Sequence, residues 1–261
     1  MAKAIMIQGT ASGVGKTILT LALCRIFKQD GYNTAPFKAQ NMTANTRFLK
    51  SGDEMAISQW LQALAAGVEP STDMNPIVLK PPFASSRTVD RDAKLETIMG
   101  AYSRLRNKYD VIVIEGAGSP VELNLNKEDM INMGMAKRAK APVLLVSDID
   151  RGGVFASLYG TIALMESSEQ TLIKATIVNR FRGEATLFAD GVRILEDITK
   201  LPVAGVVPYT NINLPEEDSY DNDNTQTTDF ENQFNHIADN VRRHLDMKLI
   251  YDILNRGVDE Q

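Results

Sequence analysis

Short apolar runs alternate along this chain with longer segments of mixed polarity. Val111-Ile112-Val113-Ile114 and Pro142-Val143-Leu144-Leu145-Val146 are the cleanest of these runs. Each is continuous and ends in a carboxylate or small polar residue, as expected of a strand covered on both faces of a parallel sheet. Ala4-Ile5-Met6-Ile7, Thr34-Ala35-Pro36-Phe37, Ala175-Thr176-Ile177-Val178 and Val203-Ala204-Gly205-Val206-Val207 follow the same pattern less strictly. Helix-length segments separate them: residues 16–30 stop before Gly31 and residues 54–66 before Gly67, both C-cap signals. The alternation predicts an α/β domain, a doubly wound, mostly parallel sheet with helices on both faces. In such sheets ligands bind beyond the carboxyl ends of the strands, so the loops that follow strands are the places to search.

The pattern changes late in the chain. Residues 215–229 are rich in Asp, Glu, Asn and Thr with almost nothing to bury, which predicts a flexible acidic linker after a main domain over 1–214. Phe234, Ile237, Val241, Leu245, Leu249 and Ile250 then recur at helical spacing, predicting one amphipathic helix over 230–256.

Composition narrows the function classes. With 261 residues, 44% of them hydrophobic, the chain can bury a full core. A net charge of −5 argues against nucleic acid as a partner. One cysteine, Cys24, leaves no intramolecular disulfide and no multi-cysteine zinc site, and its helical setting reads as core. No apolar run approaches the roughly 20 residues that span a bilayer. The first residues lack the basic start of a signal peptide, so a cytoplasmic protein is expected, without membrane partners.

The chemistry concentrates after the strands. Gly9-Thr10-Ala11-Ser12-Gly13-Val14-Gly15-Lys16-Thr17 lies between a strand and a helix, where backbone N–H groups converge on an anion. Gly13 and Gly15 permit close backbone approach, Lys16 supplies a cation, and Thr17 is placed for Mg²⁺. Thr10, Ser12 and Val14 complete the loop expected to hold ATP. The strict pattern has glycine where Thr10 stands, so this is a variant phosphate loop. Glu115, at the tip of the Val111 run, is expected as the second Mg²⁺ contact. Glu54, or its neighbour Asp53, is a third candidate. Lys38 ends the second strand, where it can hold an anionic substrate or the γ-phosphate in flight. Asp148 and Arg151, in Asp148-Ile149-Asp150-Arg151-Gly152-Gly153, crowd charges beside a glycine pair and point to a ligand. Asn179 ends a further strand, where its amide can read a purine edge. His236 and His244 fall in the terminal helix, away from any strand end.

These stretches together resemble the synthetase part of the cobyric acid synthases, relatives of the dethiobiotin synthetases and partitioning ATPases among the phosphate-loop NTPases. The resemblance rests on Gln8-Gly9-Thr10 with Gly15-Lys16-Thr17, Ala35-Pro36-Phe37-Lys38-Ala39-Gln40-Asn41-Met42, Gln62-Ala63, Asp73-Met74-Asn75-Pro76, Glu115-Gly116-Ala117-Gly118-Ser119-Pro120, the strings 148–155 and 179–183, and residues 214–219. It covers roughly residues 1 to 219. It implies an ATP- and Mg²⁺-dependent ligase of cobalamin biosynthesis that makes an acyl phosphate and amidates it. Lys16 and Lys38 would then be catalytic, Thr17, Glu54 and Glu115 would hold Mg²⁺, and Asn179 with Pro208 would line the base pocket. Gln40, Asn41, Ser119, Asp148 and Arg151 would face a small-molecule carboxylate acceptor, a corrinoid acid in the family.

Three departures qualify the resemblance. Partitioning ATPases carry a lysine where this chain has Ala11, which weighs against that branch. The family normally continues into a glutaminase domain, whereas here Ser219 leads into the acidic stretch; ammonia is then expected from solution or from a separate glutaminase subunit. Only 28 residues lie between Lys80 and Tyr109, where the family has a longer insertion, so another acceptor is an open alternative. A dethiobiotin synthetase-like ligase on a different small acceptor therefore stands beside the leading reading. So does a nucleotide-switched ATPase with a protein partner, and a homodimer is compatible with each.

Overall fold

The structure, a computed structural model, describes residues 1–81, 90–123, 129–212, 214–215 and 229–258. Six parallel strands form the central sheet: β1 (Lys3–Gly9), β2 (Thr34–Phe37), β7 (Val111–Glu115), β8 (Val143–Asp148), β9 (Ile173–Phe181) and β10 (Val203–Pro208). Their order across the sheet is β10-β9-β8-β1-β7-β2. All six expected strands are present, with β1 and β9 running several residues beyond their apolar runs. Pro36 is tolerated because β2 is an edge strand, where a missing N–H breaks no ladder. Two small additions lie outside the main sheet, a parallel pair of β3 (Gln40–Met42) with β6 (Ile77–Leu79) and an antiparallel hairpin of β4 (Thr46–Phe48) with β5 (Glu54–Ala56).

Alternation along each strand builds two cores. Ile5 and Ile7 of β1, Val111 and Val113 of β7, and Leu144 and Val146 of β8 face one side. There they meet α1 (Lys16–Gln29), α2 (Ile57–Ala66), α8 (Phe230–His244) and α9 (Met247–Arg256). Ala4 and Met6, Ile112 and Ile114, and Val143 and Leu145 face the other. That side is covered by α3 (Arg91–Lys108), α4 (Met133–Ala139), α5 (Val154–Leu164) and α7 (Ala189–Thr199), with the short α6 (Ser167–Gln170) between the last two in sequence. Fully burying a Val, Leu or Ile side chain contributes about 1.5–3 kcal/mol, so the strands specify both layers of helices.

Two expectations need correction. The segment 54–66 is not helical throughout: Glu54, Met55 and Ala56 pair with β4, and α2 begins at Ile57. The terminal segment is two helices. Leu245 is extended (φ −105°, ψ 143°) and bridges Gly205 of β10, while Asp246 donates its N–H to Ala204 and caps α9 through Leu249 N. Gly205 makes this seam, since a Cβ there would overlap the His244 carbonyl. The apolar spacing runs through the break because both helices rest on the same core. Residues 216–228, most of the expected acidic linker, and residues 82–89, in the shortened insertion, lie outside the described residues.

Candidate functional site

The loop between β1 and α1 opens into a cavity of about 840 Å³ that runs along the carboxyl ends of the strands. Ser12, Gly13, Gly15, Lys16 and Thr17 line it. Gly15 takes φ +98°, in the left-handed region, and a Cβ there would overlap the Asn179 amide nitrogen, so glycine is required on both counts. Lys16 Nζ donates to the Ala11 and Gly118 carbonyls, each at 2.8 Å. The cation therefore already spans the phosphate loop and the loop after β7. Thr10 and Val14 have their side chains elsewhere, Thr10 Oγ1 donating to Ser147 Oγ at 3.0 Å and Val14 in the core.

Glu115 is the hub. It is 1% exposed at the tip of β7, and its two oxygens are divided between two sets of donors. Oε1 accepts from Thr17 Oγ1 at 2.8 Å and faces Lys38 Nζ at 3.1 Å. Oε2 accepts from Gln62 Nε2 at 2.6 Å and Gln59 Nε2 at 3.3 Å. Burying a carboxylate without partners costs several kcal/mol, so this crowd of donors is what lets it stay charged. Burial pushes its pKa up, but the Lys38 charge and hydrogen bonds from Gln62, Thr17 and Lys38 outweigh that and hold it below the ordinary carboxylate value.

A hydroxyl and a carboxylate oxygen side by side suit a hard divalent cation. Among the described residues no group of three or more His, Cys, Asp or Glu could hold a metal, so a cation at Thr17 and Glu115 would complete its shell with phosphate oxygens and water. Glu54 is not brought there. It sits on β5, hydrogen-bonded by Thr46 at 2.9 Å and ion-paired with Lys80, and those two partners lower its pKa. Asp53, at the hairpin turn, accepts from Ser51 Oγ. The hairpin carries both acidic residues away from the phosphate loop.

The remaining candidates fall into two groups. Gln40, Asn41, Ser119, Asn179 and Pro208 all line the cavity. Asn41, 3% exposed, donates to Gln59 Oε1 at 2.8 Å. Asn179 spends its amide on the Val14 carbonyl at 2.8 Å, bracing the phosphate loop from behind. An extra residue in β9 relative to β10 around this point, with Arg180 at φ +60°, turns these side chains toward the loop. Asp148 and Arg151 are not among the lining residues. Asp148 accepts from Asp150 N at 2.7 Å and pairs with Arg180 at 3.2 Å, while the Arg151 guanidinium lies beside Gly13.

Other lining residues had no local sequence signal. Ile237, Asn240 and Val241 of α8 also line the cavity, and Asn240 donates to Thr210 Oγ1 at 2.8 Å. Asn132 clamps the loop after β7, exchanging hydrogen bonds with Ala117 N and O at 2.8 Å. Gln59 and Gln62 did leave a signal: two amides three apart in a helix otherwise apolar but for Ser58, which buries both completely. Cys24 is buried, its thiol pushed up by burial and then by Glu115, as a core residue should be. No helix of the described residues is long and apolar enough to cross a membrane.

The chain is homologous to known proteins along most of its length. It is 51% identical to the cobyric acid synthase of Lachnoclostridium phytofermentans, and 52% identical to that of Dehalococcoides mccartyi strain CBDB1, in each case over 84% of this chain and 47% of the relative. The chain thus spans about half the length of the curated relatives it matches. Among solved structures, the MinD cell division protein of Aquifex aeolicus aligns with 93% of this chain and 96% of its own at 16% identity, with a TM-score of 0.47. Residues 3–215, from the first strand through the last strand of the central sheet, match the family described as AAA domain (AAA_26), and the chain belongs to that family.

Proposed function

We propose that this chain binds ATP and Mg²⁺ in the strand-end cavity and activates a carboxylate as an acyl phosphate for amidation, in the manner of the cobyric acid synthases it resembles. The observation that carries the reading is the convergence of Thr17 and Lys38 on one buried carboxylate, Glu115, beside the phosphate loop. Identity of 51–52% to proteins named cobyric acid synthase supports it independently.

Mg²⁺ would offset the negative charge of the nucleotide phosphates. Thr17 and Glu115 would hold it. Phosphoryl transfer needs positioning and electrostatics more than covalent help. Lys16 would leave its two carbonyl partners for the β- and γ-phosphate oxygens. Lys38, which pairs with Glu115, would turn its charge to the transferred group. Gln40, Asn41 and Ser119 would face the acceptor on the side of the cavity away from Pro208 and α8, which would take the base. Ammonia, from solution or from a separate glutaminase, would displace phosphate and leave an amide.

Acceptor-dependent ADP release tests the reading. Corrinoid acids plus ammonia should raise ADP formation well above the rate with ATP alone. Tight ATP binding with no response to any corrinoid acid would end the corrinoid version. A smaller acceptor is the second reading, favoured because α3 takes up Arg91–Lys108 and leaves only residues 81–90 where the family's longer insertion would stand. A panel of small dicarboxylic and carbamate substrates separates the two.

A further inference from the structure

The face of α2 turned toward the phosphate loop carries two glutamines whose amides do nothing for the helix itself. Both are fully buried, and both aim Nε2 at the same oxygen of Glu115. Gln62 makes a second bond with that nitrogen, to the Thr17 carbonyl at 3.3 Å. Its own carbonyl oxygen has no hydrogen-bond partner among the described residues, although it is shut away from solvent. A buried amide oxygen without a partner is destabilising, so this orientation is held by what the nitrogen does. Reversing the amide would set an oxygen against the Glu115 carboxylate.

We propose that Gln62, seconded by Gln59, is the positioning residue for the divalent cation: one amide N–H₂ spans both ligand-bearing residues, Thr17 and Glu115, and keeps Oε2 so that only Oε1 faces the cation. This rests on the reading that Thr17 and Glu115 hold Mg²⁺. The residue type follows from the chemistry. A lysine or arginine would satisfy Oε2 but set a second cation, beside Lys38, on the one carboxylate that would draw the metal. A glutamate would repel the Glu115 carboxylate, and an asparagine is one methylene short of bridging both partners. Glutamine donates twice and stays neutral. Gln59 ties in the acceptor side, since its Oε1 takes the Asn41 amide at 2.8 Å while its Nε2 reaches Glu115. The segment after β2 therefore touches the same carboxylate directly through Lys38 and indirectly through Asn41 and Gln59.

The test is fluorescent ATP-analogue binding to the full chain, with Mg²⁺ and in EDTA, for the unmutated protein, Gln62→Met and Gln59→Met. Residues that orient a metal ligand are typically worth 10–100-fold in metal affinity. Gln62→Met should weaken binding in Mg²⁺ by about tenfold or more, and raise the half-saturating Mg²⁺ similarly. Binding in EDTA should stay within about twofold, because the loop N–H groups and Lys16 are untouched. Gln59→Met should show the same split, smaller, as its bond to Glu115 is longer. The Mn²⁺ electron-paramagnetic spectrum of the bound complex should broaden in Gln62→Met. Equal losses with and without Mg²⁺ would make Gln62 a packing residue and overturn the inference, as would no loss in either. If Gln62→Met does not fold, Gln59→Met alone decides between these outcomes. An unmutated chain that binds nucleotide equally well in EDTA and Mg²⁺ would instead overturn the cation reading beneath it.

Discussion

Lys38 and Glu115 are 5% and 1% exposed, and each is the other's counter-charge. Removing one partner of a buried pair is expected to cost about 3–5 kcal/mol, because the other keeps its buried charge without this counter-charge. Glu115→Gln should therefore destabilise the chain by that amount in denaturant unfolding and abolish Mg²⁺-dependent ADP formation. Lys38→Met added to it should recover stability but not turnover. A single variant as stable as the parent would refute the pairing. The sign of the pH effect follows from the lowered Glu115 pKa. The stabilisation is present above the unfolded carboxylate value and is lost as pH falls through the lower folded one. The acid side of the stability profile should flatten in Glu115→Gln. Lys16→Ala should remove nucleotide binding in an equilibrium titration while leaving the fold intact, and so reports on the site and not on the acceptor. Lys16, Thr17 and Lys38 were legible because a cation or hydroxyl after a buried strand has few other uses. The pairing of Glu54 with Lys80 was not legible, because it depends on strand pairing that is invisible in a single sequence.

At the scale of elements, the seam between α1 and the two terminal helices is held by Asp30. It accepts from both Arg242 guanidinium nitrogens at 2.9 Å and from the Tyr251 hydroxyl, joining the end of α1 to α8 and α9. Burial pushes the Asp30 pKa up, but bonds from Arg242 and Tyr251 bring it below the ordinary value. This stabilisation is likewise present above the unfolded Asp value and lost as pH drops through the folded one. Asp30→Asn should cost roughly 1 kcal/mol at neutral pH, the pair being partly solvent-screened, and little at pH 3. Denaturant midpoints at the two pH values measure the difference. An equal loss at both would assign the effect to packing. Gly205→Val should be far worse, since the side chain meets the His244 backbone and nothing there can yield. The six strands were readable from their apolar runs, whereas the break at Leu245 was not, because a helix interrupted over one continuous core keeps the same apolar period.

For the molecule as a whole, the cavity joins the phosphate loop, the segment after β2, the loop after β7 and the wall of α8, elements far apart along the chain. A ligand that bridges them should stabilise the fold globally. With Mg-ATP at a hundred times its dissociation constant the gain is about 2.7 kcal/mol, or roughly 5–10 °C in Tm for a domain of this size. ATP in EDTA should give a smaller shift, and a Tm unmoved by Mg-ATP would remove the nucleotide from the account. The amino-acid sequence by itself determined the parallel α/β sheet and the phosphate loop with Lys16 and Thr17, because strand burial, turn chemistry and anion binding are written in runs of adjacent residues. It also marked Lys38 and Glu115 as strand-end chemistry. Only the tertiary structure decided that these two share one buried charge, that Gln59 and Gln62 hold it, that Glu54 pairs with Lys80 and that α8 lines the cavity. Those depend on which distant strands and helices become neighbours, and proximity across the sheet leaves no trace in local spacing.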